Sequence, residues 1–147
     1  MYKTISMKPV ILLLAIACLI SCDRKSPVSD DGYNKEGLIV SEKKYQAVTT
    51  NNYTISNATI EGDSLFISFS ASGCSGISWE TAVVDAGRIA ESNPVQRYIK
   101  LSLSNKELCA AVFSKKAGAN IRSLRMPGSN TISFNLAGWN QPLLYHY

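Results

Sequence analysis

Few side chains in this chain are able to do chemistry, and their spacing decides what they can do. Cysteines stand at positions 18, 22, 74 and 109, and the one histidine, His146, is the penultimate residue. A cysteine nucleophile needs a base beside it. A lone histidine at a chain end reads instead as a solvated or packing residue. Gly73-Cys74-Ser75-Gly76 has the look of a nucleophile turn. It lacks the Gly-x-Ser-x-Gly order and the strand–turn–helix setting of such a serine, so it reads as a tight turn carrying a structural cysteine. Glu80 and Asp85 are the nearest thing to paired carboxylates, yet five residues apart on one strand they point to opposite faces. Phosphate-cradling and dinucleotide-binding glycine motifs are missing. Two cysteines without a His or acid cluster make a poor zinc site. Neither a metal nor another cofactor is expected, and an enzyme is not the reading these residues favour.

The basic residues offer a different chemistry. Residues 37–94 carry three basic and six acidic side chains, a net charge of −3, whereas residues 95–147 carry seven basic side chains against Glu107 alone, a net of +6. Lys100, Lys115, Lys116, Arg122 and Arg125 are therefore a candidate anion-binding set. Clustered on one face, their summed potential would attract lipid head groups or acidic polymers. Sequence halves are not faces, and the plainer reading is a solvated surface that keeps the protein soluble. Trp79, Trp139, Tyr145 and Tyr147 are candidates for a sugar-stacking or partner-binding surface, although such aromatics more often pack a core.

These residues must be positioned by strands. Leu65, Ile67, Phe69 and Ala71 share one face of 65–71. Ile99, Leu101 and Leu103 do so in 98–104, and Ile132, Phe134 and Leu136 in 131–136. Period-two alternation means half-buried strands. Weaker candidates are 38–49, 53–60, 77–85 and 143–147. Turn formers separate them at Glu61–Ser64, Ala86-Gly87, Ser92–Pro94, Pro127–Asn130 and Gly138–Pro142. The expected fold is mainly β: an antiparallel sandwich or barrel of about 7–9 short strands. One segment competes. Ser104-Asn105-Lys106-Glu107 has capping-box spacing, Leu108, Ala111 and Val112 share a helical face, and Lys115, Lys116 and Gly118 resemble a helix end. Either a short helix lies near 105–117 or a turn leads into a strand over 108–114; the strand is favoured by its neighbours.

The N-terminus carries an address. Lys3 and Lys8 precede an apolar run from Val10 to Ile20. This is the pattern of a secretory signal, too short for a bilayer span of roughly 20 residues. Leu19-Ile20-Ser21-Cys22 resembles the lipobox of bacterial lipoproteins. The resemblance implies removal of residues 1–21 as a signal peptide, a lipid thioether on Cys22 and usually acylation of the new amino group. Two or more acyl chains hold a protein stably to a membrane, where one does so only marginally. Residues 22–36 then form a polar tether, and 37–147 a single β-domain. Loss of Lys3 and Lys8 leaves 13 Lys and Arg against 11 Asp and Glu, a mature net charge of +2.

The address settles the cysteine arithmetic. Cys18 leaves with the signal and Cys22 is committed to lipid. Cys74 and Cys109 remain in an oxidising compartment and form the expected disulfide. Gly73-Cys74, Cys109 and the closing Leu143-Leu144-Tyr145-His146-Tyr147 also resemble a group of short exported β-domain lipoproteins of unassigned function. That resemblance covers about residues 60–147 and implies no activity. The functional expectation is a non-catalytic lipoprotein of the cell envelope, facing the periplasm or the cell surface. It would bind a protein or an anionic envelope polymer, and not nucleic acid. The alternative is an anchored inhibitor of an exogenous hydrolase such as a lysozyme or protease.

Overall fold

The computed structural model describes residues 37–147. The signal peptide, Cys22 and the 22–36 tether lie outside the described residues. The alternation in the sequence becomes an inward face. In β3 (Ser64–Gly73), Leu65, Ile67, Phe69 and Ala71 are buried, while Ser68 and Ser70 between them are part-exposed. Burying each large apolar side chain of this kind contributes about 1.5–3 kcal/mol. β5 (Val95–Ser104) does the same with Ile99, Leu101 and Leu103, and β7 (Thr131–Leu136) with Ile132, Phe134 and Leu136.

The remaining elements are β1 (Leu38–Val40), a helix α1 (Glu42–Ala47), β2 (Thr54–Glu61), β4 (Glu80–Ala90), β6 (Ala111–Asn120), a 3-10 turn (Arg122–Leu124) and β8 (Leu143–His146). Five strands form one sheet in the order β1-β4-β5-β7-β8, and three form another in the order β2-β3-β6. Their inner faces meet in one core that includes Leu65, Ile67 and Phe69 from one sheet and Val83, Leu101 and Phe134 from the other. The result is the expected mainly-β sandwich, with two parallel pairings in the larger sheet, β1 with β4 and β5 with β7. Gly62, at φ +56°, permits the two-residue turn between β2 and β3.

Over 105–117 the favoured reading holds, a turn leading into a strand, and a helix forms elsewhere. Residues 105–110 form no helix, and 111–120 are strand. The helical turn sits instead at 42–47, inside a stretch expected to be strand. Ser41 explains it: its Oγ accepts a hydrogen bond from the Lys44 amide at 3.3 Å as an N-cap. Tyr45 then packs on Val84 and Ala86, on the outer face of the larger sheet.

Strand directions gather the chain at one end of the sandwich. Gly73 pairs with Ala111, and Glu80 with Ser104, so the ends of β3 and β5 and the starts of β4 and β6 lie together. β1 runs parallel to β4 with Leu38 opposite Val83. The described chain therefore enters from this same end.

Candidate functional site

Two loops, 74–79 and 105–110, join the strands at this end, the tip, and Asn52 lies beside them, donating to the Leu103 carbonyl at 3.2 Å. The two loops are tied twice. Cys74 and Cys109 form the expected disulfide, with S–S 2.02 Å and Cα–Cα 4.8 Å. The second tie is Glu107. Asn105 donates from its amide nitrogen to the Ser72 carbonyl at 2.8 Å and accepts the Glu107 N–H at 2.8 Å. That turn aims the Glu107 carboxylate into the facing loop. Its Oε2 accepts the amides of Cys74 (2.6 Å), Ser75 (2.9 Å) and Gly76 (2.9 Å), and its Oε1 accepts the hydroxyls of Ser78 (2.8 Å) and Ser75 (3.3 Å).

Successive backbone amides turned to one point make an anion-binding nest. Here the chain's own carboxylate fills it. The amides of Ser75 and Gly76, then the Ser78 hydroxyl and the Cys74 amide, pull the Glu107 carboxyl from 4.5 down to about 2, against a smaller opposing effect of desolvation. The packing leaves no slack. A Cβ on Gly73 would lie 2.5 Å from Glu107 Oε2 and 2.8 Å from Trp79 Cζ2, and Gly76 sits at φ +69°.

An acid-stability prediction arises here. Glu107 holds its proton more weakly folded than unfolded. Its contribution to stability is thus complete above about pH 4.5 and is lost as the pH falls toward 2. Glu107→Gln should lower the urea midpoint near neutral pH and flatten the acid limb of the stability profile. An acid limb identical to that of the parent protein would show that the carboxylate does not tie the loops.

The tip exposes apolar side chains. Leu108 is 98% exposed, Ile77 84% and Val112 69%. These are the three most exposed large hydrophobic residues among the described ones. Cys74, Cys109 and Lys106 are exposed beside them. A hollow of about 90 Å³ between Phe69, Gly76, Trp79 and Lys115 falls short of the roughly 300 Å³ at which ligand pockets begin. A wider open trough of about 450 Å³, whose walls include Asn52, Thr54, Ser70, Ser72 and Asn105, offers amides and hydroxyls without an acid or an imidazole.

The five candidate anion-binding residues do not share a face. Lys100 lies on the outer side of the larger sheet, where its Nζ donates to the carbonyls of Tyr45 (2.9 Å) and Val48 (3.2 Å) at the end of α1. Lys116 lies on the outer side of the smaller sheet, 4.1 Å from the Phe66 ring centroid. Lys115 faces the other way, with its Cε near Gly76 at the tip. Arg122 and Arg125 sit at the opposite end. Arg125 donates to Asp63 Oδ1 at 2.6 Å and to the Tyr145 hydroxyl at 2.8 Å, and the Tyr145 hydroxyl donates to Asp63 in turn. The Tyr145 bond, then Arg125, holds the Asp63 carboxyl below its usual range.

The other candidates resolve into structure. Tyr145 is fully buried, Tyr147 packs against it at 4.9 Å, and Trp79 packs on Phe69 at 6.0 Å. Trp139 is partly buried against the core. His146 meets Thr131 Oγ1 at 3.1 Å. Among the described residues, no group of three His, Cys, Asp or Glu side chains is placed to hold a metal, and no helix is long and apolar enough to cross a membrane.

Two features escaped the sequence reading. Asp85 is buried in a bidentate ion pair with Arg97, at 2.9 Å (Nε to Oδ2) and 2.7 Å (Nη2 to Oδ1), and also accepts the Gly87 amide at 2.6 Å. Glu80, on the same strand, is exposed. The other is the Glu107 tie. Its signal was available: Glu107 is the only acid in residues 95–147 and lies two positions before a cysteine.

The sandwich places the chain in a structural class. No family model matches the sequence, and no curated protein matches it significantly. Solved structures share the fold. A Bacteroides vulgatus protein of unknown function (DUF1344) superposes with TM-score 0.53 at 12% identity, covering 78% of this chain and 56% of its own. A NigD-like immunity protein from Bacteroides caccae gives TM-score 0.53 at 7% identity, covering 75% and 58%. The chain thus spans less than two thirds of either neighbour. What they have in common with it is the β-sandwich.

Proposed function

We propose that this protein is a lipid-anchored, non-catalytic binding module of the cell envelope, with the two-loop tip as its working surface. One observation carries the reading: Ile77 and Leu108 stand almost fully exposed on loops held by both a disulfide and a carboxylate clamp. Apolar side chains held in water gain free energy when a partner covers them, and the two ties fix the loops before a partner arrives, which lowers the ordering cost of binding. Anchoring rests on the lipobox-like Leu19-Ile20-Ser21-Cys22. A second reading, an anchored antagonist of a foreign hydrolase, is favoured by the sandwich shared with a NigD-like immunity protein.

Two experiments test this. Cys22→Ser should leave an uncleaved precursor without acyl label, and normal labelling of that variant would refute the anchor. Photo-crosslinking residues placed at 77 and 108 of the full lipoprotein in its own envelope should give adducts, whereas one at Ser123, on the opposite end, should not. Adducts to an added hydrolase favour the antagonist reading. The absence of adducts from both tip positions would remove the tip as a binding surface.

A further inference from the structure

We propose that the partner of the tip is the bilayer that carries the protein's own anchor: Ile77 and Leu108 enter its interfacial layer while Lys106 stays at the head groups. The inference rests on the anchored-module reading above and names what that surface meets. Three observations support it.

The first is direction. β1 is parallel to β4, and Leu38 is opposite Val83, three residues into a strand that starts at the tip. The described chain thus begins near the tip end. Cys22 is 15 residues before Gly37, a reach of about 50 Å at most and about 20 Å on average for a flexible chain. An anchor there holds this end of the sandwich close to the membrane surface.

The second is the chemistry of the exposed side chains. Protein interfaces draw most of their energy from buried tryptophan, tyrosine and arginine. The tip presents none of these: Trp79 is packed on Phe69 and half-buried. It presents aliphatic side chains, with Lys106 exposed two positions before Leu108. A long lysine stem lies along apolar surface and keeps its charge in water, which suits a loop at a bilayer interface.

The third is the state of the charges. Glu107, next to Leu108 in the chain, is held inward on three amides and two hydroxyls, which leaves Glu80, three residues after Ile77, as the exposed acid at this end. The Glu107 oxygens are satisfied by the protein, so approach to lipid does not strip them of water. The exposed disulfide adds no charge.

The test uses the full lipoprotein, produced with its lipid and reconstituted into vesicles of phosphatidylcholine and phosphatidylglycerol with brominated acyl chains. Single replacements Ile77→Trp, Leu108→Trp and Ser123→Trp report position, and the unsubstituted protein supplies the background of Trp79 and Trp139. The tip tryptophans should emit to the blue of water-exposed tryptophan and be quenched by the brominated chains. Ser123→Trp should show neither. The quenching should persist at high salt, because aliphatic insertion is not screened as charge attraction is. Water-like, unquenched emission from both 77 and 108 would overturn the proposal. Crosslinks from those positions to protein in place of lipid would also overturn it, while leaving the binding module standing. A chain that does not stay with the vesicles would overturn the anchor, and this inference with it.

Discussion

Arg97→Leu should destabilise the domain by about 3–5 kcal/mol, the usual cost of removing one partner of a buried ion pair. Asp85 has no exposure to solvent, and Arg97 is only 6% exposed. Without the guanidinium, the Asp85 carboxylate keeps only the Gly87 amide as a hydrogen-bond partner and is left buried without its counter-ion. Desolvating that charge is the expensive part, so the pair need not be net stabilising even though each member depends on the other. Replacing both together, Asp85→Val with Arg97→Leu, should therefore recover much of the loss. Urea unfolding of the two single variants and the double variant measures this directly. A single-variant cost below about 1 kcal/mol would mean that water reaches the pair.

Loss of the disulfide should have the other large effect. Cys74→Ser with Cys109→Ser opens a cross-link between residues 35 apart, worth about 4 kcal/mol in the chain-entropy model. The bridge and the Glu107 clamp hold the same two loops, so their effects should couple. Glu107→Gln should cost less in the disulfide-free background than in the bridged one, because freed loops no longer present three amides to one carboxylate. Strict additivity of the two changes would show the ties to be independent. Peptide mapping without reductant gives the covalent check, a fragment joining Cys74 to Cys109.

The strands that were legible from sequence are those whose inner and outer faces meet different surroundings. Thr131–Leu136 was read with its observed bounds, and β3 and β5 were recognised from cores of alternation that the structure extends by a few residues. Alternation reports one buried face, and these strands have one. β4 was harder because Val83 faces the main core while Val84 faces the smaller cluster under α1. Buried on both faces, it loses its period. The helical alternative over 105–117, set behind the strand in the sequence reading, does not form. Ser104 and Glu107 have the spacing of a capping box, but Glu107 is claimed by amides about thirty residues earlier. Spacing reports what a side chain can reach along the chain, and this contact comes from across the fold. The disulfide was legible because only two cysteines remained once Cys22 was assigned to lipid. The dispersal of the lysines was not legible, since sequence order does not say which sheet, or which side of it, a strand joins.

β6 has a consequence for the protein among many copies of itself. Among the described residues, only one of its two backbone edges is paired, to β3. A ten-residue strand with an unpaired edge is a template on which another chain can add. Lys115 and Lys116 stand at its middle, one on each side of the sheet. A strand docking there would have to crowd two ammonium groups against its own side chains. The same lysines that first suggested a ligand for the protein thus guard it against edge-to-edge aggregation.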